Sequence, residues 1–271
     1  MALAPEVAAL LAPLRDRPAG SALFLDYDGT LAPIVEHPAE ARLLDGTAPL
    51  LEELAGRLAL VGFVSGRALA QLETMVGIQG LAYSGNHGME LHRRGEEAGL
   101  ADEAAAQMPA IHRFVQAWPP ERLAANGVWL EDKGPTLTFH YRGAADPDSA
   151  RAFLETLVRP VAEGVGLVAL PGRMTLEIRP HVALDKGTAV RALLEGSGLR
   201  IAAHIGDDRT DVHAWRALRA LRSEGALDHA VAIGVESPEL PEDVRRAADA
   251  LVQGPAGVRE ALEFLAGHPA A

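Results

Sequence analysis

The chain has 271 residues, of which 48% are hydrophobic and 23% charged, a formal net charge of −12 at pH 7, and no cysteine. This length suits one large domain or two smaller ones, and the balance of apolar and charged residues is that of a soluble globular protein rather than a disordered one. The acidic charge argues against nucleic acid or an anionic membrane as a bulk partner, because each needs a basic surface, and the missing cysteine excludes disulfides, thiolate zinc sites and cysteine nucleophiles. Any metal must be held by oxygen or imidazole.

The opening segment has no basic leader and sets Glu6 and Arg15 among apolar residues, so it reads as an amphipathic helix after Pro5 rather than a signal peptide. The longest apolar run, "LALVGFV" from Leu58, is far short of the roughly 20 residues of a membrane span, and the expected location is the cytoplasm. Strand and helix patterns then alternate: strand "ALFL", helix 47–56, strand "LALVGFV", helix 67–76 and strand "LAYS". A different pattern follows. A helix over 103–117 precedes two alternating segments, "GVWLED" and "TLTFHY", joined by "KGP"; a helix over 147–160 precedes "GLVAL" and "RMTLEIR", joined by "PG". From Lys186 the first alternation resumes, with a helix to about 195, strand "IAAHI", helix 210–221, strand "AVAIGV" and a helix over 255–266.

Alternating strands and helices imply a parallel sheet covered on both faces, whereas paired alternating strands imply an antiparallel sheet with helices on one side. The predicted fold is therefore α/β: a doubly wound, mostly parallel, Rossmann-like core over 1–105 and 181–271, with an inserted α+β domain over 106–180. Parallel sheets bind ligands beyond the carboxyl ends of their strands. Four polar clusters fall at those ends: "DYDGT" at 26–30, "SGR" at 65–67, "DKG" at 185–187 and "GDDRTD" at 206–211.

Asp26 and Asp28 stand two apart, so in an extended chain both carboxylates point the same way. At about 4 Å and an effective dielectric near 20 their repulsion is roughly 4 kcal/mol unless a proton or cation lies between them. Ser65 on its own reads as a helix cap. Of the 25 basic residues only Lys133 and Lys186 are lysines, and a lysine that survives so strong an arginine bias is a candidate for a task needing a compact ammonium.

In this order and at these strand ends, the four clusters resemble the motifs of the haloacid dehalogenase-type phosphohydrolases. The resemblance implies that Asp26 is a nucleophile forming an aspartyl phosphate, that Asp28 is the general acid and base, and that Ser65 and Lys186 hold the phosphoryl oxygens. It implies Mg²⁺ bound by Asp26, the backbone carbonyl of Asp28 and Asp207, with Asp208 and Asp211 behind it. Magnesium fits a chain that offers only oxygen and imidazole donors.

The stretches "LFLDYDGTLAPI", "GNHGMEL", "EDKGPTLTFHYR" and "LEIRP…DKG" carry the resemblance further, to the trehalose-6-phosphate phosphatase family. That family's pattern implies a sugar-reading cap in the insert, with Glu131, Lys133, Arg142 and Glu177 on the sugar and Asn86 and His87 beside it on the core. One departure is that Val212 and His213 follow "GDDRTD" where the family often has an acidic residue. Other readings stay open: a phosphatase for sucrose phosphate or for mannosyl- or glucosyl-3-phosphoglycerate, for which Arg142, Arg173 and Arg179 are possible extra cations, and a non-catalytic sugar-phosphate sensor. The sequence is silent on oligomeric state.

Overall fold

The structure, a computed structural model, describes residues 3–35, 38–172, 174–238 and 240–268; Arg173 lies outside them. The chain divides into two compact units, Met1–Gly99 with Leu184–Ala271, and Leu100–Ala183. The alternation of patterns in the sequence drew the insert over the narrower span 106–180.

In chain order the strands are β1 (Ser21–Leu25), β2 (Leu60–Val64), β3 (Ala82–Gly85), β4 (Glu90–His92), β5 (Gly99–Leu100), β6 (Trp129–Asp132), β7 (Leu137–His140), β8 (Leu167–Gly172), β9 (Thr175–Pro180), β10 (Ile201–Gly206), β11 (His229–Glu236) and β12 (Ala250–Gln253). The large sheet runs β12-β11-β10-β1-β2-β3-β4-β5. From β12 to β3 all neighbours are parallel, and β4 returns antiparallel to β3.

β1 is buried throughout, so it carries apolar groups on both faces. Leu23 and Leu25 join Leu11, Leu54 and Leu262 from the helices Pro5–Asp16, Thr47–Arg57 and Gly254–Ala266. Ala22 and Phe24 face the other way, into a cluster with Val190 and Leu218 from the helices Lys186–Leu194 and Asp211–Ser223. This is the expected doubly wound core. β1 neighbours β2 on one side and β10 on the other, so the winding reverses between β1 and β10, and it is at such a reversal that α/β sheets open a crevice.

In the second unit an antiparallel sheet, β6-β7-β9-β8, packs one face on helices. Leu137, Phe139, Leu176 and Ile178 meet Phe114, Trp118 and Phe153 there, and the Phe139 ring stands edge-on to Phe114 and Trp118 at 6.1 and 6.4 Å between centroids. The opposite face carries Trp129, Glu131, Thr138, His140 and Glu177 at paired positions.

Two predicted helices come out divided. The one over 103–117 is Asp102–Ala105 and Met108–Gln116, because Pro109 lacks the N–H that a continuous helix needs and is tolerated only in a first turn. The one over 147–160 passes through a widened turn at Leu154–Val158 before Arg159–Gly164, which contains Pro160. β4, β5, β12 and the helix Glu242–Ala247 had no clear pattern in the sequence. Among the described residues no helix is long and apolar enough to cross a membrane.

Because Phe139 is fully buried at the centre of the aromatic cluster, Phe139→Ala should cost about 3–5 kcal/mol in urea unfolding followed by circular dichroism. Leu157→Ala, truncating a side chain left 46% exposed on the same unit, should stay within about 0.5 kcal/mol of the parent.

Candidate active site

The carboxyl ends of β1 and β10 place Asp26 and Asp207 at the reversal of the sheet. Asp26 continues the β1 ladder, its N–H donating to the Ile205 carbonyl at 3.0 Å. The chain then turns at Gly29, whose φ is +75°; a Cβ there would lie 2.1 Å from Asp207 Oδ2, so only glycine lets the backbone of the first loop pass against that carboxylate. Thr30 Oγ1 donates to Asp207 Oδ1 at 3.3 Å from the same loop.

Lys186 arrives at the first position of the helix Lys186–Leu194, which begins with a capping box: Asp185 accepts from the N–H groups of Gly187 and Thr188. A Cβ on Gly187 would meet the His213 carbonyl oxygen at 2.6 Å, so its absence lets this helix approach the one beginning at Asp211. The ammonium is thereby buried between two carboxylates, 2.7 Å from Asp211 Oδ1 and 3.0 Å from Asp26 Oδ1, with Asp208 at 3.8 Å. Burial disfavours the charged lysine, but these three carboxylates outweigh it and hold its pKa well above the ordinary value.

The carboxylates themselves are in deficit of positive charge. Burial, with repulsion from Asp211 and Asp208, pushes Asp26 up to about 8 despite Lys186. Burial and the Asp26 charge push Asp207 to about 7, and burial and Asp208 push Asp211 to about 7. Asp208 goes the other way: burial would raise it, but Lys186 and hydrogen bonds from Thr210 and Asp211 hold it well below the usual range.

A carboxylate oxygen from each of Asp26, Asp207 and Asp211 lies within 4.8 Å of the other two. The donors fit a hard divalent cation, which would supply the missing positive charge. The three are not equivalent. Asp211 Oδ1 accepts from Lys186, and Oδ2 accepts from the N–H groups of Asp207 and Asp208 at 2.9 and 3.0 Å, so its lone pairs are largely engaged. Asp26 and Asp207 are the better direct ligands, with Asp211 holding the loop and the lysine in place.

Asp28 stands apart from this cluster. Its two oxygens accept from Arg67 Nε and Nη2, both at 2.6 Å, in a bidentate pair whose arginine is buried and whose aspartate is 42% exposed. Ser65 does not cap the following helix. That helix begins at Leu69, whose N–H is taken by Glu90 Oε2 at 2.8 Å, while Ser65 is buried and its Oγ accepts from the Arg67 N–H at 3.3 Å. Asn86 donates to the same Glu90 oxygen at 2.6 Å. Asn86 and His87 both have positive φ, 47° and 56°, a conformation costing on the order of 1 kcal/mol each, and their N–H groups donate to Arg67 and Ser65 carbonyls, locking "GNHG" onto "SGR".

In the second unit, Glu131, Thr138 and Glu177 form one row across three strands. Glu131 lies 2.9 Å from His140 Nε2 and 3.7 Å from Lys133 Nζ. Arg142 is exposed in the turn after β7, off that row.

Five participants escaped the reading of the sequence: Arg67, Thr30, Glu90 and the buried pair His204 and Trp215. Trp215 Nε1 donates to His204 Nδ1 at 3.1 Å, leaving the ring's other nitrogen 3.6 Å from Asp211 Oδ1; burial, then Lys186, lowers the His204 pKa to about 3. Arg67, Thr30 and Glu90 stand inside the motifs "SGR", "DYDGT" and "GNHGMEL", whose reading assigned these residues no role; His204 and Trp215 stand in none of the motifs.

Comparison with known proteins bears on the fold and on the family. The C-terminal domain of Candida albicans trehalose-6-phosphate phosphatase superposes with a TM-score of 0.75 at 24% identity, covering 98% of each chain, and so shares the fold. The family model described as trehalose-phosphatase matches residues 24–243, and the chain belongs to that family. A probable trehalose-phosphate phosphatase of Oryza sativa subsp. japonica is 32% identical over 250 residues, 90% of this chain and 64% of the relative. An uncharacterized glycosyl hydrolase of Mycobacterium tuberculosis is 38% identical over 216 residues, 73% of this chain but 15% of that much longer protein.

The raised carboxylates set a sign for pH dependence. A group whose folded pKa lies above its unfolded value contributes stability below the unfolded pKa and loses it as pH rises through the folded one. With chelator present, Tm should therefore fall between about pH 5 and pH 8.5 as Asp26, Asp207 and Asp211 ionise against one another. Millimolar Mg²⁺ should raise Tm more at pH 8.5 than at pH 5.5 in differential scanning fluorimetry. An equal gain at both pH values would dissociate the cation from these groups.

Proposed function

We propose that the protein is a Mg²⁺-dependent phosphatase that hydrolyses trehalose 6-phosphate to trehalose and phosphate through an aspartyl phosphate on Asp26. The observation that carries the reading is the contact of Lys186 with Asp26 beside Asp207 where the sheet reverses: a carboxylate, an ammonium and a cation-ready pair at one strand end. The 24–243 family match supports the substrate.

Asp26, with the backbone carbonyl of Asp28 and the Asp207 carboxylate, would hold Mg²⁺. Bound there, the ion neutralises charge on the phosphoryl oxygens and lowers the pKa of Asp26. An Asp26 oxygen bonds to phosphorus as the bond from phosphorus to the sugar oxygen breaks, and Asp28 gives that oxygen its proton. Ser65 and Lys186 hold phosphoryl oxygens through both steps. Water then attacks the phosphorus, Asp28 takes its proton, and the bond to Asp26 breaks to release phosphate. The bidentate pair with Arg67 uses one lone pair on each Asp28 oxygen and orients the carboxyl group, leaving the others to carry the proton. Asp208 and Asp211 keep Lys186 charged and in place.

The Leu100–Ala183 unit is assigned the sugar. Glu131 and Glu177 accept from hydroxyls, Lys133 and Arg142 donate to others, and Asn86 and His87 contribute from the "GNHG" loop. The proposed setting is the cytoplasm, where a phosphorylated disaccharide, too polar to cross a membrane unaided, would be retained.

Asp26→Asn should abolish turnover of both trehalose 6-phosphate and an activated aryl phosphate. Asp28→Asn should slow the sugar ester by about 10²–10⁴-fold, and the aryl ester, whose leaving group needs no proton, by much less. Retained Asp26→Asn activity on either ester, checked by phosphate release, would end the covalent mechanism. Across a panel of trehalose, sucrose and glycosyl-glycerate phosphates, Glu131→Ala and Glu177→Ala should reduce kcat/KM for trehalose 6-phosphate at least about 10-fold more than for the aryl ester. Equal losses would remove the sugar from their role.

A further inference from the structure

Trp129 is out of place by the ordinary rules of burial. Of the three tryptophans, Trp118 and Trp215 are buried, 3% and 0% exposed, whereas Trp129 is 56% exposed on β6, an edge strand of the antiparallel sheet. It is nonetheless held rigidly. Its cross-strand partner is His140, and the two rings stack face to face, 3.9 Å between centroids and 5° from parallel. His140 in turn meets Glu131 through Nε2 at 2.9 Å, so that the indole, the imidazole and the carboxylate form one connected group.

The register puts this group on the polar face of the sheet. Trp129 and His140 make one row, and Glu131, Thr138 and Glu177 make the next, one strand repeat of about 6.6–6.8 Å away. Thr138, between the two glutamates, is only 7% exposed and its hydroxyl has no hydrogen-bond partner among the described residues. A buried hydroxyl without a partner is costly, and here it stands in the middle of a row of acceptors. A flat aromatic surface one hexose-length from that row is the complement of a sugar: a pyranose with equatorial hydroxyls carries its polar groups around the rim and C–H bonds on its faces. Such a ring stacks on an indole while its rim is hydrogen-bonded by neighbouring polar groups, the division of labour that amphipathic aromatic side chains serve in binding sites.

We propose that Trp129, backed by His140, is an aromatic subsite on which one pyranose ring of the sugar phosphate stacks, with Glu131, two residues along the same strand, taking hydroxyls at its rim. This deepens the phosphatase reading and rests on it for the identity of the sugar. The edge strand leaves the outer face of the indole accessible, and because that face is flat and apolar the platform selects for a ring whose hydroxyls are equatorial. The subsite acts on affinity, not on the chemical step, since it touches neither phosphorus nor the leaving oxygen.

Iodide quenching tests it directly, because the exposed fraction of tryptophan fluorescence reports Trp129 and should vanish in Trp129→Phe. In the parent protein, unphosphorylated trehalose should protect that fraction from iodide. In kinetics with trehalose 6-phosphate, Trp129→Ala should raise KM about 10-fold with kcat changed less than about 3-fold, and Trp129→Phe should recover part of the loss. Leu157→Ala, an exposed apolar truncation on the helical side, should leave quenching and kinetics as in the parent, with folding of every variant verified by circular dichroism. Hydrolysis of trehalose 6-phosphate with no protection by trehalose, or with KM unchanged in Trp129→Ala, would overturn the subsite and leave the phosphatase reading standing. Protection by trehalose in a protein that does not hydrolyse its 6-phosphate would do the reverse.

Discussion

Burying a carboxylate is unfavourable unless a counter-charge is buried with it, and in this chain the counter-charge is Lys186. Its ammonium lies between Asp26 and Asp211, with almost no exposure of any of the three. The rest of the core can be derived from that arrangement. The capping box at Asp185 starts the helix where the ammonium is needed, and Gly187 lets that helix approach the one that begins at Asp211. Asp211 then spends its second oxygen on the N–H groups of Asp207 and Asp208, which draws the "GDDRTD" loop over the strand end. One positive charge cannot satisfy all the carboxylates gathered around it. The remaining deficit is what suits the site to a divalent cation.

The charge balance also separates the two aspartates of "DYDGT". Asp26 stays buried against the lysine, whereas Asp28 turns to the bidentate fork of Arg67 and remains partly exposed. The repulsion expected from their spacing is thereby relieved by two different side-chain cations. Buried carboxylate and exposed carboxylate are environments suited to different tasks, attack in one case and proton transfer in the other. The tight junction of "GNHG" with "SGR", with two residues in the left-handed region, holds the arginine's loop in position.

The two units divide the physics as well as the residues. The parallel sheet is covered on both faces, so its functional groups occur only where the strands end. The antiparallel sheet of the second unit is covered on one face alone, and its other face is open to carry Glu131, Glu177, His140 and Trp129 in register. A sheet of the first kind concentrates charge at a point, and one of the second kind spreads polar groups over an area. The former suits a small phosphoryl group and the latter an uncharged sugar.

Much of this was legible in the chain itself. The switch from strand–helix alternation to paired alternating strands separated the two kinds of sheet, and the order of "DYDGT", "SGR", "DKG" and "GDDRTD" brought the core residues to one sheet end, because a parallel sheet leaves little choice about where its loops converge. The arginine bias singled out Lys186. What the sequence could not decide were interactions between positions far apart along the chain. Nothing local indicates that Arg67 takes Asp28, that Glu90 and not Ser65 caps the helix at Leu69, or that His204 and Trp215 stand behind Asp211. Each is a side-chain contact across 11 to 39 residues, determined by packing and charge once the elements are assembled. Periodicity and motif order are properties of neighbours in sequence and determine which elements form; the choice of partner for a charge or a donor belongs to neighbours in space, and only the tertiary structure makes it.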